Sequence, residues 1–219
     1  MKIYIYGTVI LMVVFVFTAG IHANFIKFPV TKNIHNVYVA DFNKDNILVG
    51  FSDNIFIGKV NKEIETVDFA KAPVTKYSVD IISNIKGDFK GEVFVYQQGG
   101  YKNGILFVVE GGDQIVSGKA ESYLLHPGYT YVFATVKNHI LKGNLLLSHP
   151  NAIELISKDD NASYELLKKN SENNETVIKF KKAYINEEIS KFHVDNENSF
   201  LSLPVEKQQE LRSEAEKFK

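Results

Sequence analysis

Short apolar runs separated by Gly, Pro and Asn dominate the chain from residue 42 to residue 156. Within 75–85, apolar Tyr77, Val79 and Ile81 alternate with polar residues, which is the period of two expected of a strand with one buried face. Further strands are predicted at 54–64, 92–97, 105–110 and 129–136, with a shorter sixth at 145–148. The pattern therefore predicts a β-rich unit of five to six strands.

Several of these strands are apolar on both faces. In 92–97, Val93 and Val95 share one face, while Phe94 and Tyr96 share the other. Both faces of such a strand must be buried against other parts of the protein. We therefore expect the strands to face the inside of a small barrel and to be covered outside by helices or loops.

Gly58 interrupts the apolar strand at 54–64, although glycine weakens a strand. The first strand of a small closed barrel has to bend in order to pair on two sides, and glycine permits that bend. We expect the bend at Gly58; the alternative is a glycine tolerated in an edge strand. Turns are predicted at 86–91 and at Asn103-Gly104, where both turn positions need positive φ.

Three segments together suggest a family. They are VGFSDNIFIGKV at 49–60, YSVDIISNIKGDFKGEVFVYQ at 77–97 and PGYTYVFATV at 127–136, and they resemble the netrin-like modules and the tissue inhibitors of metalloproteinases. The resemblance covers 46–156 and implies an OB-type barrel. The inhibitors chelate the zinc of the protease through an N-terminal cysteine, and this chain contains no cysteine. The resemblance therefore carries the fold and no functional residue.

From residue 157 the sequence is polar and favours helices. Asp160 is placed to cap a helix over 161–170, an apolar stripe runs through 175–192, and Pro204 suits the first turn of another helix. Such a stripe has to be buried, either on the barrel or on a partner. We predict an α+β protein with a lead-in at 24–45, a barrel at 46–156 that folds without the tail, and a helical extension at 157–219.

The first 23 residues have the layout of a secretory signal peptide. Lys2 precedes an apolar run at 3–17, and small residues follow at Ala19, Gly20 and Ala23. The alternative is an uncleaved membrane anchor, because 3–21 approaches the roughly 20 residues that a spanning helix needs. The protein is thus predicted to be secreted or on the cell surface, or else anchored by this segment. An exported chain without cysteine is ordinary for a Gram-positive bacterium.

Composition argues against several classes of function. The formal net charge is −1, so no basic field attracts nucleic acid. The six histidines lack close ligand spacing, and we predict no metal, no cofactor and no enzymatic activity. Glu110 and Asp113 in the EGGD segment are carboxylates, the residue type used in acid–base chemistry and in calcium binding. A solvated turn is the stronger interpretation.

The sequence supports a binding surface better than it supports a metal site or an active site. The segment YQQGGYK gathers two tyrosines, two amides and a lysine around one connection: Tyr96, Gln97, Gln98, Tyr101 and Lys102. Aromatic rings beside amides suit a protein or a cell-wall carbohydrate, but the two tyrosines could equally pack on the barrel. The sequence favours an exported, non-enzymatic binding or cell-surface module, with an inhibitor or immunity factor directed at a secreted hydrolase as the alternative.

Overall fold

The computed structural model describes residues 30–35, 40–70, 72–109 and 124–189, together with 204–206, 209 and 213. These residues form an α+β protein, mostly strands in two mixed sheets, with three α-helices. The strands are β1 (Val30–Ile34), β2 (Asn54–Phe69), β3 (Ala72–Lys86), β4 (Glu92–Gln98), β5 (Gly100–Lys102), β6 (Ile105–Val109), β7 (Thr130–Asn138), β8 (Gly143–Leu146) and β9 (Ile153–Ser157). The helices are α1 (Asp45–Phe51), α2 (Tyr164–Glu172) and α3 (Glu175–Ile185), and a 3-10 turn covers Pro150–Ala152.

The larger sheet curls into a partly closed ring. Antiparallel pairing joins β2 to β3 and β3 to β4, and β4 then pairs with β8 in parallel. Strand β8 pairs with β7, and β7 returns to the first part of β2. Strand β9 adds to the other side of β7. The strands predicted at 54–64, 75–85, 92–97, 129–136 and 145–148 all belong to this sheet, although their bounds shift by a few residues.

Gly58 lies in the part of β2 that pairs on both sides, opposite Ile81 of β3 and Tyr131 of β7. The β2–β3 register shifts between Ile57 and Gly58, as expected where a strand bends. A Cβ atom at Gly58 would lie 2.5 Å from Cγ1 of Val79. Close packing, in addition to the bend, therefore excludes a larger residue at this position.

The strands that are apolar on both faces are covered on both sides, as predicted, with one exception. Phe56 and Phe133 point into the ring and belong to its interior cluster, whereas Ile55, Ile57 and Val132 belong to a second cluster beneath the helices. On β4 the prediction of double cover holds for Tyr96, which faces outward and is 7% exposed, and is wrong for Phe94. Val95 is buried inside, but the outward ring of Phe94 is 41% exposed.

The interior cluster also holds the hydroxyl group of Tyr131. This side chain is buried, and its hydroxyl oxygen accepts a hydrogen bond from the backbone N–H of His126 at 3.1 Å. Burial raises the pKa of Tyr131 to about 12, against a smaller lowering by that hydrogen bond. The ring interior therefore favours the neutral phenol.

This raised pKa predicts an alkaline loss of stability. Between about pH 10 and pH 12 the unfolded chain ionises Tyr131 while the folded chain does not, so the unfolded state binds fewer protons and the free energy of unfolding falls. We expect a loss on the order of 2–3 kcal/mol across that window, measured by urea denaturation. Tyr131→Phe should show a clearly shallower pH dependence over the same range. Equal slopes in both proteins would contradict the assignment.

Helix α1 occupies a region that the sequence analysis predicted to be β-rich. Its seven residues include Leu48 and Val49, which are fully buried in the cluster beneath the helices. The hydroxyl of Ser52 donates to the carbonyl of Leu48 at 2.8 Å and ends the helix just before β2. Two helical turns are too short to produce a clear periodic signal, and tertiary packing decides the conformation.

The two helices after β9 pack on the outside of the ring. Leu167 of α2 and Val177 and Phe180 of α3 are buried in the same cluster as strand residues of the ring. The hydroxyl of Tyr164 also donates to the carbonyl of Ile82 on β3 at 2.8 Å. The buried part of the predicted apolar stripe therefore lies on the ring, whereas Ile178, Ile185 and Ile189 of the same stripe are exposed. Independent folding of the ring without these helices stays a prediction.

Two details of these helices differ from the sequence analysis. The N-cap of α2 is Ser163, whose Oγ accepts from the N–H of Leu166 at 3.3 Å, and not Asp160. Asp160 lies in a turn before the helix, too far along the chain to reach the free N–H groups of its first turn. Helix α3 ends at Ile185 rather than continuing to 192, because Glu188 leaves the helical path and donates its N–H to the carbonyl of Asn46 at 3.1 Å.

The smaller sheet contains β1, β6 and β5. The predicted turn at Asn103-Gly104 joins β5 to β6, with φ of 52° and 75°. Strand β1 pairs in parallel with β6 and lies in the segment that the sequence analysis treated as a lead-in. Its five residues carry only two apolar side chains, so hydrophobic periodicity could not reveal it.

Some predictions fall outside the described residues. These concern the N-terminal segment 1–23, the EGGD segment with Glu110 and Asp113, and His22 and His193. Of the helix predicted near Pro204, positions 205, 206, 209 and 213 are helical. Within the described ranges, no helix combines the length and the apolar character needed to cross a membrane.

Candidate functional site

The predicted binding segment does not form one surface. Tyr96 lies on the outer face of β4 and is 7% exposed, whereas Gln97 points inward and is 1% exposed. The side-chain oxygen of Gln97 accepts a hydrogen bond from the N–H of Leu125 at 3.0 Å. Gln98 follows, half-buried, at the end of the strand. Gln97 therefore has a structural role inside the protein.

The other two predicted residues belong to the smaller sheet. Tyr101 on β5 is 48% exposed, and Lys102 forms an ion pair with Asp68 at the end of β2. Gly100, between them and β4, has φ of 139° and packs against Thr75 and Thr66, so a side chain would not fit there. A role of Gln98, Tyr101 and Lys102 in binding stays a prediction.

The outer face of β3 and β4 carries a different group of residues, which we call the aromatic–lysine platform: Lys76, Phe94 and Tyr96. The ammonium of Lys76 lies 4.3 Å from the ring centroid of Phe94 and 5.7 Å from that of Tyr96. The register explains this geometry, because Lys76 pairs directly with Tyr96 and lies diagonal to Phe94. Both distances are within the range of cation–π attraction.

Neighbouring residues hold the platform in place. A Cβ atom at Gly143 would lie 2.6 Å from the Tyr96 ring, so glycine on β8 leaves room for that ring. The side-chain amide of Asn144 donates to the backbone carbonyl of Phe94 at 3.2 Å. Opposite Phe94 on β3, Ser78 is fully buried, and its hydroxyl oxygen accepts a hydrogen bond from the side-chain amide of Asn61 at 3.4 Å. The aromatic rings therefore rest on a rigid sheet and not on a loop.

Among the described residues, two lysines lie over aromatic rings without an ion pair: Lys76 and the exposed Lys32, which lies over Phe107. Two other lysines that lie over aromatic rings also pair with carboxylates: Lys86 with Glu187 at 2.5 Å and Lys179 with Glu154 at 2.6 Å. In the described part of the chain, no carboxylate forms an ion pair with Lys76, although the residue is half-buried. Glu65 lies opposite Lys76 in the β2–β3 register without forming an ion pair with it, and the ammonium lies over the two aromatic rings instead.

The histidines offer no comparable site. His149 caps the 3-10 turn, with Nδ1 accepting from the N–H of Asn151 at 3.2 Å, and burial lowers its pKa against the opposing charge of Asp41. The cavity beside it, lined also by Gln97 and Ile153, measures about 10 Å³, roughly the space of one water molecule. Among the described residues, no three His, Asp or Glu side chains converge as metal ligands would. His126 and His149 each come directly before a proline that begins a turn.

The sequence analysis found Tyr96 but missed Lys76 and Phe94. Lys76 belongs to the polar face of an alternating strand, which normally indicates solvent, and Phe94 was assigned to a covered strand. No family model matches the chain, and the search of curated proteins found no similar sequence. The function therefore has to be argued from the geometry of the platform.

Proposed function

We propose that the protein is a non-enzymatic binding module whose partner docks on the aromatic–lysine platform. The observation that supports this proposal is the combination of an exposed aromatic ring with a half-buried lysine that lacks a carboxylate. An aromatic ring and a convergent polar group are the usual components of a recognition site. Both belong to strands of a sheet, which orients them before the partner arrives.

We further propose that the ring of strands is an OB-type barrel of the netrin-like kind. In support, β2, β3, β4, β8 and β7 follow one another around the ring, and β7 pairs again with β2. Barrels of this type bind ligands on the face formed by their second and third strands. In this chain those strands would be β3 and β4, which carry the platform.

The place of action that we propose is outside the cell, on or near the surface of a Gram-positive bacterium. This part of the proposal rests on the signal-like layout of residues 1–23 and on the absence of cysteine from the sequence. An exported module that carries a recognition face would hold a component of the cell wall or of the medium close to the cell.

Affinity capture with matched variants tests the function. The immobilised protein, without residues 1–23, is incubated with cell-wall fragments and with culture supernatant. We expect Phe94→Ala to lose the material that the wild type retains, whereas Leu166→Ala, which removes a similarly exposed side chain from α2, should retain it. Equal recovery by both variants would exclude the platform. Recovery of an active hydrolase that the protein inhibits would favour the inhibitor function instead.

A further inference from the structure

We propose that the ligand of the platform is an oligosaccharide that carries isolated carboxylates, of the uronic acid class. This inference rests on the proposed binding function and specifies its ligand. Three features of the platform lead to it: the cation without a carboxylate, the mixed charge of the surrounding face, and the small area of the exposed rings.

The first feature is the position of the Lys76 ammonium. A cation over an aromatic ring attracts an anion to the ring edge, where the anion can pair with the cation while an apolar part of the same ligand contacts the ring. A sugar ring with a carboxylate offers both groups within one residue. Lys62 lies opposite Ser78 on β2, two strands away from Phe94, and it too forms no ion pair within the described ranges. A second cation thus lies on the same face of the sheet as the exposed ring.

The second feature is the charge of the surrounding face. By register, Glu65 lies opposite Lys76, and Asp80 lies between Lys59 and Glu92 on the three neighbouring strands. These carboxylates would repel a ligand with densely spaced charges, such as nucleic acid or a highly sulfated glycan. Their oxygens are also acceptors for sugar hydroxyls. The face therefore suits a ligand with many hydroxyls and few negative charges.

The third feature is size. Across the sheet, the platform covers two to three strands, each roughly 4.8 Å wide. Along the strand, it covers two alternating positions about 7 Å apart, so its area is on the order of 100 Å². A standard protein interface buries about 800 Å² on each partner, so the platform alone is too small for one. An area of this size matches one or two sugar rings stacked on Phe94 with an acid group at Lys76.

Titration calorimetry with defined oligosaccharides tests this inference. The probes are oligomers of galacturonic acid, of mannuronic acid and of hyaluronan, with carboxyl-reduced oligomers of the same lengths as neutral controls and the peptide Glu-Gly-Glu as an acidic control. We expect at least one uronic oligomer to bind about tenfold or more tightly than its reduced counterpart, because only the acidic oligomer can accept a charge-assisted hydrogen bond from the Lys76 ammonium. Binding of the peptide alone, or of none of the acidic oligomers, would overturn the proposal.

Variants connect that binding to the platform. Phe94→Ala and Lys76→Gln should each weaken binding of the uronic oligomer about tenfold or more, and Lys76→Arg should retain most of it. Lys168→Gln, at an exposed position on α2, is the matched control and should leave binding unchanged. Circular dichroism establishes that each variant is folded. Unchanged binding by Phe94→Ala or Lys76→Gln would contradict the site.

A competition experiment separates this inference from the proposed function. If uronic oligomers release the material captured in a Phe94-dependent manner, both proposals stand. If captured material depends on Phe94 but the oligomers do not release it, the binding function stands and the ligand class is wrong. If no capture depends on Phe94, the binding function itself fails.

Discussion

Replacing Gly58 with valine should lower the free energy of unfolding by about 3 kcal/mol or more, at the upper end of what overpacking a core costs. The first added carbon would lie 2.5 Å from Cγ1 of Val79, 3.2 Å from the carbonyl of Asp80 and 3.3 Å from the ring of Phe133. Val79 and Phe133 are both fully buried. They cannot move into solvent to make room, so the strand pairing on one side of β2 has to give way.

Urea denaturation of two further variants isolates this steric cause. Gly58→Ala adds only the clashing carbon and should already be clearly destabilised, although less than Gly58→Val. Lys62→Val places the same β-branched residue at an exposed position of the same strand, where we expect a change within about 0.5 kcal/mol. If Gly58→Val unfolds at the urea concentration of the wild type, Gly58 is a tolerated glycine and the packing argument is wrong.

The strands of the ring could be predicted because their signal is local. Alternation in β3, the apolar faces of β7 and the turn glycines are properties of neighbouring residues. Gly87, Gly91 and Gly104 all have positive φ at the predicted turns. Strand β9, in contrast, has five half-buried residues that follow a 3-10 turn directly, and its pattern does not stand out from the surrounding chain.

The segments that were predicted wrongly depend on distant contacts. Helix α1 is held by the cluster that it shares with α3, and α3 ends where Glu188 bonds to Asn46, 142 residues away. Neither effect is encoded in a window of neighbouring residues.

The candidate site shows a second limit of prediction from the sequence. Tyr96 and Gln97 were grouped because they are neighbours in sequence, yet successive residues of a strand point to opposite faces. The platform instead joins Lys76 to Phe94, which belong to different strands and meet only through the register. Composition identified an aromatic segment, but the register decided which of its residues reach the surface.

Replacing Phe180 with alanine should lower the free energy of unfolding by about 3–5 kcal/mol, the cost of deleting a large buried aromatic side chain. Phe180 is fully buried and shares its cluster with Leu48 of α1 and with Ile57 of the ring. The cavity would therefore lie between helices and strands, where no single element can collapse to fill it. Ile185→Ala is the control on the same helix: its side chain is 81% exposed, and we expect a change within about 0.5 kcal/mol.

Two optical probes would show whether helices and ring unfold together in Phe180→Ala. The chain has no tryptophan, so tyrosine emission is weighted toward the strands, whose tyrosines Tyr77, Tyr96, Tyr101 and Tyr131 outnumber Tyr164 and Tyr184 of the helices. The helical bands of the far-ultraviolet circular dichroism spectrum are weighted toward the helices. Because Phe180 joins the two layers, we expect both transitions to shift to lower denaturant by the same amount. A shift confined to the helical signal would mean that the ring keeps its fold without the helices, as the sequence predicts for a chain ending at Ser157. A loss below about 1 kcal/mol would contradict the shared core itself.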